Sequence, residues 1–134
     1  MIVLDSSAAV EWVLQTPLGL CVQRRVRNAA GDLHAPYVLD IEFSQALRNL
    51  VRAQLITPSK GAAALEDFAD LRLHRYVHLP FLHRIWTLRD NLTAYDAAYV
   101  ALAEALRAPL VTCDAKIAAA PGHHARVEWI TLQN

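Results

Sequence analysis

Met1-Ile2-Val3-Leu4-Asp5-Ser6-Ser7-Ala8, residues 1–8, is an apolar run that ends on an acid and two serines. Residues 2–4 lack the in–out alternation of a half-exposed strand. They read as a short strand buried on both faces, as in a parallel sheet. Ser6 to Leu14 then reads as a helix, stopped at Thr16-Pro17. Pro109-Leu110-Val111-Thr112 repeats the pattern near the other end and again meets an acid, at Asp114. Further strands are expected at His34-Ala35-Pro36, Val77-His78-Leu79 and Val127 to Thr131. Strands separated by helices predict an α/β fold with a parallel sheet, in one domain over residues 1–134.

The helices between are legible by their spacing. Leu18 to Ala29 places Leu18, Cys21, Val22, Val26 and Ala29 on one side and Arg24, Arg25 and Arg27 on the other. Tyr37 to Gln54 is the clearest amphipathic segment. Its stripe is Leu39, Phe43, Ala46, Leu47 and Leu50, with Ser44, Arg48 and Arg52 opposite. Thr57-Pro58 starts a helix that runs to Leu71. Phe81 to Arg89 is expected as another, and Lys116 to Ala120 as a short one. Thr93 to Arg107 is apolar almost all round, which marks a buried helix.

Of the 134 residues, 54% are hydrophobic and 19% charged, enough for a real core and against global disorder. The formal net charge is zero, so any nucleic-acid contact must come from a local patch. Cys21 and Cys113 form no CxxC pair and read as reduced core thiols. The six histidines show no metal-ligand spacing, which argues against zinc. Trp12, Trp86 and Trp129 are expected in the core. The longest apolar stretch, Ala97 to Cys113, is interrupted by Glu104, Arg107 and Pro109 and is no membrane span. No basic leader precedes the first strand, so a soluble cytoplasmic protein is expected.

Four acids stand against this apolar background: Asp5, Glu42, Asp96 and Asp114. Asp5 and Asp114 each follow a strand, and ligands bind at the carboxyl ends of strands in open α/β sheets. A helix cap at Asp5 and a turn at Asp114 are the plainer explanations. Asp96 sits at the capping-box spacing from Thr93, at the start of the buried helix. Glu42 and Asp40 flank the amphipathic stripe on opposite margins, and periodicity does not choose between them. Lone buried carboxylates are costly, so convergence on a hard, oxygen-loving divalent ion is the reading that accounts for them together.

Those four stretches together resemble the PIN domain, and in particular the VapC toxins of bacterial toxin–antitoxin pairs. The likeness rests on Ile2-Val3-Leu4-Asp5-Ser6-Ser7-Ala8, on Glu42 within Asp40-Ile41-Glu42-Phe43, on Tyr95-Asp96-Ala97-Ala98-Tyr99, and on Leu110-Val111-Thr112-Cys113-Asp114. The resemblance selects Glu42 over Asp40. It implies a PIN-like three-layer α/β/α sandwich around a short, mainly parallel sheet. It also implies an endoribonuclease dependent on Mg2+ or Mn2+, a homodimer, and a cognate VapB-type antitoxin that covers the acidic groove. By position, Ser6 and Thr112 would hydrogen-bond the carboxylates or water.

The implied mechanism is in-line attack of a metal-activated water on the RNA phosphodiester, leaving a 5′-phosphate and a 3′-hydroxyl. Arg24, Arg25 and Arg27, or Arg48 and Arg52, are candidates to hold the RNA backbone. A magnesium phosphatase with Asp5 as nucleophile would want a second aspartate two residues on, where this chain has Ser7. A PIN nuclease of RNA processing, or a degenerate domain acting only as a binding partner, are the remaining alternatives.

Overall fold

Residues 1–133 are described by a computed structural model of the chain. Five strands form one sheet in the order β3-β2-β1-β4-β5, and every neighbouring pair is parallel. They are β1 (Ile2–Leu4), β2 (Leu33–Pro36), β3 (Leu73–Tyr76), β4 (Leu110–Thr112) and β5 (Val127–Trp129). The helices are α1 (Ser6–Val13), α2 (Pro17–Asn28), α3 (Val38–Arg52), α4 (Pro58–Ala69), α5 (Leu82–Thr87), α6 (Ala94–Leu106) and α7 (Ala115–Ala119).

The chain steps from β1 to β2 to β3 in one direction. It then returns to β4, on the other side of β1, and moves on to β5. Right-handed crossovers therefore put α1 to α4 on one face and α5 to α7 on the other, giving three layers. The reversal falls between β1 and β4, where a crevice opens beyond the carboxyl ends of the strands.

Local chemistry explains the element starts. Thr16, Thr57 and Thr93 each cap a helix by accepting an amide hydrogen bond, from Gly19, Lys60 and Asp96. Phe43 of α3 stacks on Phe68 of α4 with ring centroids 4.1 Å apart, which joins the two helices over the core. Residues 97–103 of α6 are all buried, and the four alanines among them let α6 lie close against β1, β2 and β4.

Two expectations need correction. The third strand is Leu73–Tyr76, four residues before the predicted Val77-His78-Leu79. It is an edge strand with half-exposed residues, so it lacks the apolar signal of the central strands. Val77 and Leu79 are exposed instead, and Leu79 enters a 3-10 turn with Pro80. Trp86 and Trp129 are 66% and 48% exposed rather than core residues, while Trp12 packs partly buried against the core. Cys21 is buried, Cys113 is half-buried, and both are free thiols.

Candidate active site

Asp5 leaves β1 and Asp114 leaves β4, and these strands are parallel neighbours in register through Val3 with Leu110 and Leu4 with Val111. Both acids therefore emerge at the same end of the sheet. Asp5 is the N-cap of α1: its Oδ1 accepts from the Ala8 amide at 3.0 Å. The Ser7 hydroxyl donates to the same oxygen at 2.7 Å, and the Thr112 hydroxyl donates to Oδ2 at 2.5 Å. Thr112 Oγ1 in turn accepts the Asp114 amide at 2.9 Å, and Ser7 Oγ accepts the Cys113 amide at 2.9 Å. Residues more than a hundred apart in sequence thus lock the two strand ends together.

Asp96 enters from the first turn of α6. Glu42 enters from α3, where its Oε1 accepts a 2.5 Å hydrogen bond from the Tyr99 hydroxyl. Tyr99 lies one helical turn beyond Asp96 and is fully buried, so α6 carries one acid and orients another.

The ionisation of these groups shows that they feel one another. Burial pushes the Asp5 carboxyl up to about 6, against its three hydrogen bonds, and the Asp114 charge adds to the rise. Burial and then the Asp114 charge raise Asp96, with Thr93 and Lys116 working against them. Burial raises Glu42, and the Asp96 charge adds to it despite the Tyr99 hydrogen bond. The four carboxylates form a coupled chain, Asp5 to Asp114 to Asp96 to Glu42.

The donor set suits a hard divalent cation. The partners that hold Asp5 are neutral hydroxyls and an amide, which leave its negative charge in place. Among the described residues, no three of the four acids bring oxygens within 4.8 Å of one another.

Asp40 has a different role from Glu42. Its two oxygens accept from Arg75 Nε at 2.9 and 3.0 Å, an ion pair that ties α3 to β3. Ser6 is the serine predicted to hydrogen-bond the carboxylates or water, but the side-chain hydroxyls that bond Asp5 are those of Ser7 and Thr112. Helical rotation swings the side chain after the cap away from the Asp5 oxygens and brings Ser7 onto them. Of the predicted RNA-binding arginines, Arg25 is committed to Glu128, with its Nε at 2.5 Å. Arg24 Nη2 reaches Cys21 Sγ at 3.2 Å, and Arg27 is exposed. Arg48 and Arg52 line a cavity of about 450 Å³ between α3 and α4, on a different side of α3 from Glu42. Sequence reasoning missed Ser7, Tyr99 and Lys116. For Tyr99 a signal existed, because it shares a helix face with Asp96 at a spacing of three.

A parallel sheet whose switch point gathers four acids defines the class. The sequence matches the PIN domain over residues 2–122, and the chain belongs to that family. Within it the chain falls among the VapC ribonucleases. It is 45% identical over 130 residues to "Ribonuclease VapC12" of Mycobacterium tuberculosis strain H37Rv, covering 97% of this chain and 99% of the relative. It is 47% identical over 121 residues to "Ribonuclease VapC1" of the same strain, covering 90% of each. A third relative, "Ribonuclease VapC9", is 41% identical over 117 residues, 87% of this chain and 88% of its own length.

Proposed function

We propose that the chain is the endoribonuclease toxin of a toxin–antitoxin pair, hydrolysing RNA with Mg2+ or Mn2+ held by Asp5, Glu42, Asp96 and Asp114. The observation that carries this is the electrostatic coupling of four carboxylates at the switch point of a PIN sheet. The names of the relatives, all ribonucleases, supply the substrate class.

When bound, the ion supplies a more acidic water and offsets the charge of the phosphate. The protein's own groups do the positioning. Ser7 and Thr112 fix both oxygens of Asp5. Tyr99 fixes Glu42, and its hydroxyl stays protonated because burial and the Glu42 charge push it above its usual range. Lys116, in the first turn of α7, is the cation whose charge reaches Asp96 and stands ready for a phosphate oxygen. With no histidine among these groups, hydrolysis by water is favoured over attack by the ribose 2′-hydroxyl.

A cavity of about 380 Å³ between α1 and α3 is lined by Val10, Leu18, Ala46, Leu50 and Cys113 together with the polar Ser6, Ser7, Glu11 and Asn49. It suits an apolar side chain of a VapB-type antitoxin that closes the site. Ile41, Leu79, Leu82 and Trp86 are exposed large apolar side chains of the kind a homodimer interface would cover. No helix among the described residues is long and apolar enough to cross a membrane, and action on cellular RNA is consistent with a cytoplasmic protein.

Asp96→Asn tests the proposal. Its cleavage of a structured RNA should fall at least about a hundredfold, since even the partners of metal ligands are worth ten- to a hundredfold. Its circular dichroism should match the native chain. A variant that cuts at the native rate would remove Asp96 from the site.

A further inference from the structure

The zinc reading set aside on sequence spacing returns at the opposite end of the sheet. Asp32 precedes β2, and His34 lies within it, so an i, i+2 spacing puts both side chains on one face. His74, on β3, pairs in register with His34 across the parallel ladder. Three donors from two strands therefore meet: Asp32 Oδ1 is 2.8 Å from His34 Nε2 and 4.0 Å from His74 Nε2. The two imidazoles stack with centroids 4.7 Å apart and planes 18° from parallel. Among the described residues, these three are the group of potential ligands whose atoms all lie within 4.8 Å of one another.

We infer that Asp32, His34 and His74 form a second metal site, for a borderline divalent ion of the zinc class, separate from the four-acid centre. The donor set selects the metal. Two imidazoles and one carboxylate suit Zn2+, Ni2+ or Cu2+, whereas Mg2+ prefers oxygen alone. The geometry is near to closure. Ligands about 2.1 Å from one tetrahedral ion stand about 3.4 Å apart, so the 4.0 Å pair must close and the 2.8 Å pair must open by roughly the same 0.6 Å. The two rings are stacked, so His74 must also turn out of the stack for both in-plane lone pairs to meet one ion. Its side chain is 69% exposed and free to do so, while His34 is held at 7%.

His34 is also oriented from behind. Its Nδ1 lies 2.7 Å from the Tyr76 hydroxyl, the partner that fixes a ligating imidazole. Metal at Nε2 displaces the hydrogen bond to Asp32 and leaves the ring proton on Nδ1, donated to Tyr76 Oη. The Met1 ammonium lies 3.4 Å from the other carboxylate oxygen, Oδ2, and leaves Oδ1 for the ion. Bound there, the ion would join edge strand β3 to β2. It would sit at the amino ends of the strands, away from Asp5 and Asp114, and it is independent of the nuclease reading.

Calorimetric titration of the EDTA-stripped, dialysed full chain with ZnCl2, in millimolar Mg2+, tests this. The native protein and Asp96→Asn should each take up a single zinc ion per chain with matching affinity. His74→Ala, changed at an exposed residue that leaves the fold alone, should bind at least about tenfold more weakly. Tyr76→Phe should lose roughly tenfold through orientation alone. Zinc should also raise the melting temperature of native protein but not of His74→Ala. Equal affinity in His74→Ala, loss of the zinc in Asp96→Asn, or no uptake by the native chain would each overturn the inference.

Discussion

Asp5 is where stability and function oppose each other most directly. Its carboxyl rises from an ordinary 3.8 to about 6 because burial outweighs three hydrogen bonds. The folded state therefore holds this proton more tightly than the unfolded chain does. The stability it contributes is complete below pH 3.8 and is lost as pH rises through 6. A shift of that size corresponds to about 3 kcal/mol. In metal-free protein, Asp5→Asn should gain up to about 3 kcal/mol over the native chain at pH 7.5, and much less at pH 4. Urea unfolding at the two pH values measures it, and a variant less stable than native at pH 7.5 would refute the buried charge. Glu42 and Asp40 separate by partner. Glu42→Gln should remove most cleavage. Asp40→Asn should keep it and lose under about 1 kcal/mol, because its ion pair with Arg75 is partly exposed. The reverse ranking in a cleavage assay would move the helical ligand.

Among the elements, the central ones were the legible ones. Strands β1 and β4, and helices α3 and α6, announce themselves because burial on both faces, or on one clean stripe, leaves a strong apolar pattern. Edge strand β3 does not, since Leu73–Tyr76 mixes His74 and Arg75 with partly exposed apolar residues. Contacts between distant segments, such as Arg75 with Asp40 or His34 with His74, leave no trace in local spacing. The Ser6-for-Ser7 exchange was likewise invisible, because a family position does not say how a helix is rotated at its cap. A less visible constraint lies where α2 crosses α1. A Cβ on Gly19 would fall 1.9 Å from the Glu11 carbonyl oxygen. Alanine ordinarily improves a helix by about 1 kcal/mol over glycine. Here Gly19→Ala should instead destabilise by about 3 kcal/mol as the helices are forced apart. Chemical denaturation decides the sign, and a stabilised variant would mean the two helices are not so close.

Over the whole molecule, a net charge of zero conceals an ordered separation. Arg25, Arg75 and Arg84 are paired with Glu128, Asp40 and Glu104. Asp5, Glu42, Asp96 and Asp114, by contrast, have no arginine partner among the described residues, and neutral hydroxyls surround the most buried of them. Glu42 is chosen over Asp40 only through the family resemblance, whereas the fold class, and Asp5 and Asp114 as candidates, could be read locally, because a strand that ends on a carboxylate is a local signal. Their coupling could not, because it depends on β1 and β4 lying side by side after more than a hundred intervening residues. The most direct test is RNA cleavage by the partner-free protein, followed while divalent metal is removed and returned. Cleavage should stop with EDTA and recover on addition of Mg2+ or Mn2+. Cleavage that continues undiminished in EDTA would contradict a metal-dependent site built from Asp5, Glu42, Asp96 and Asp114.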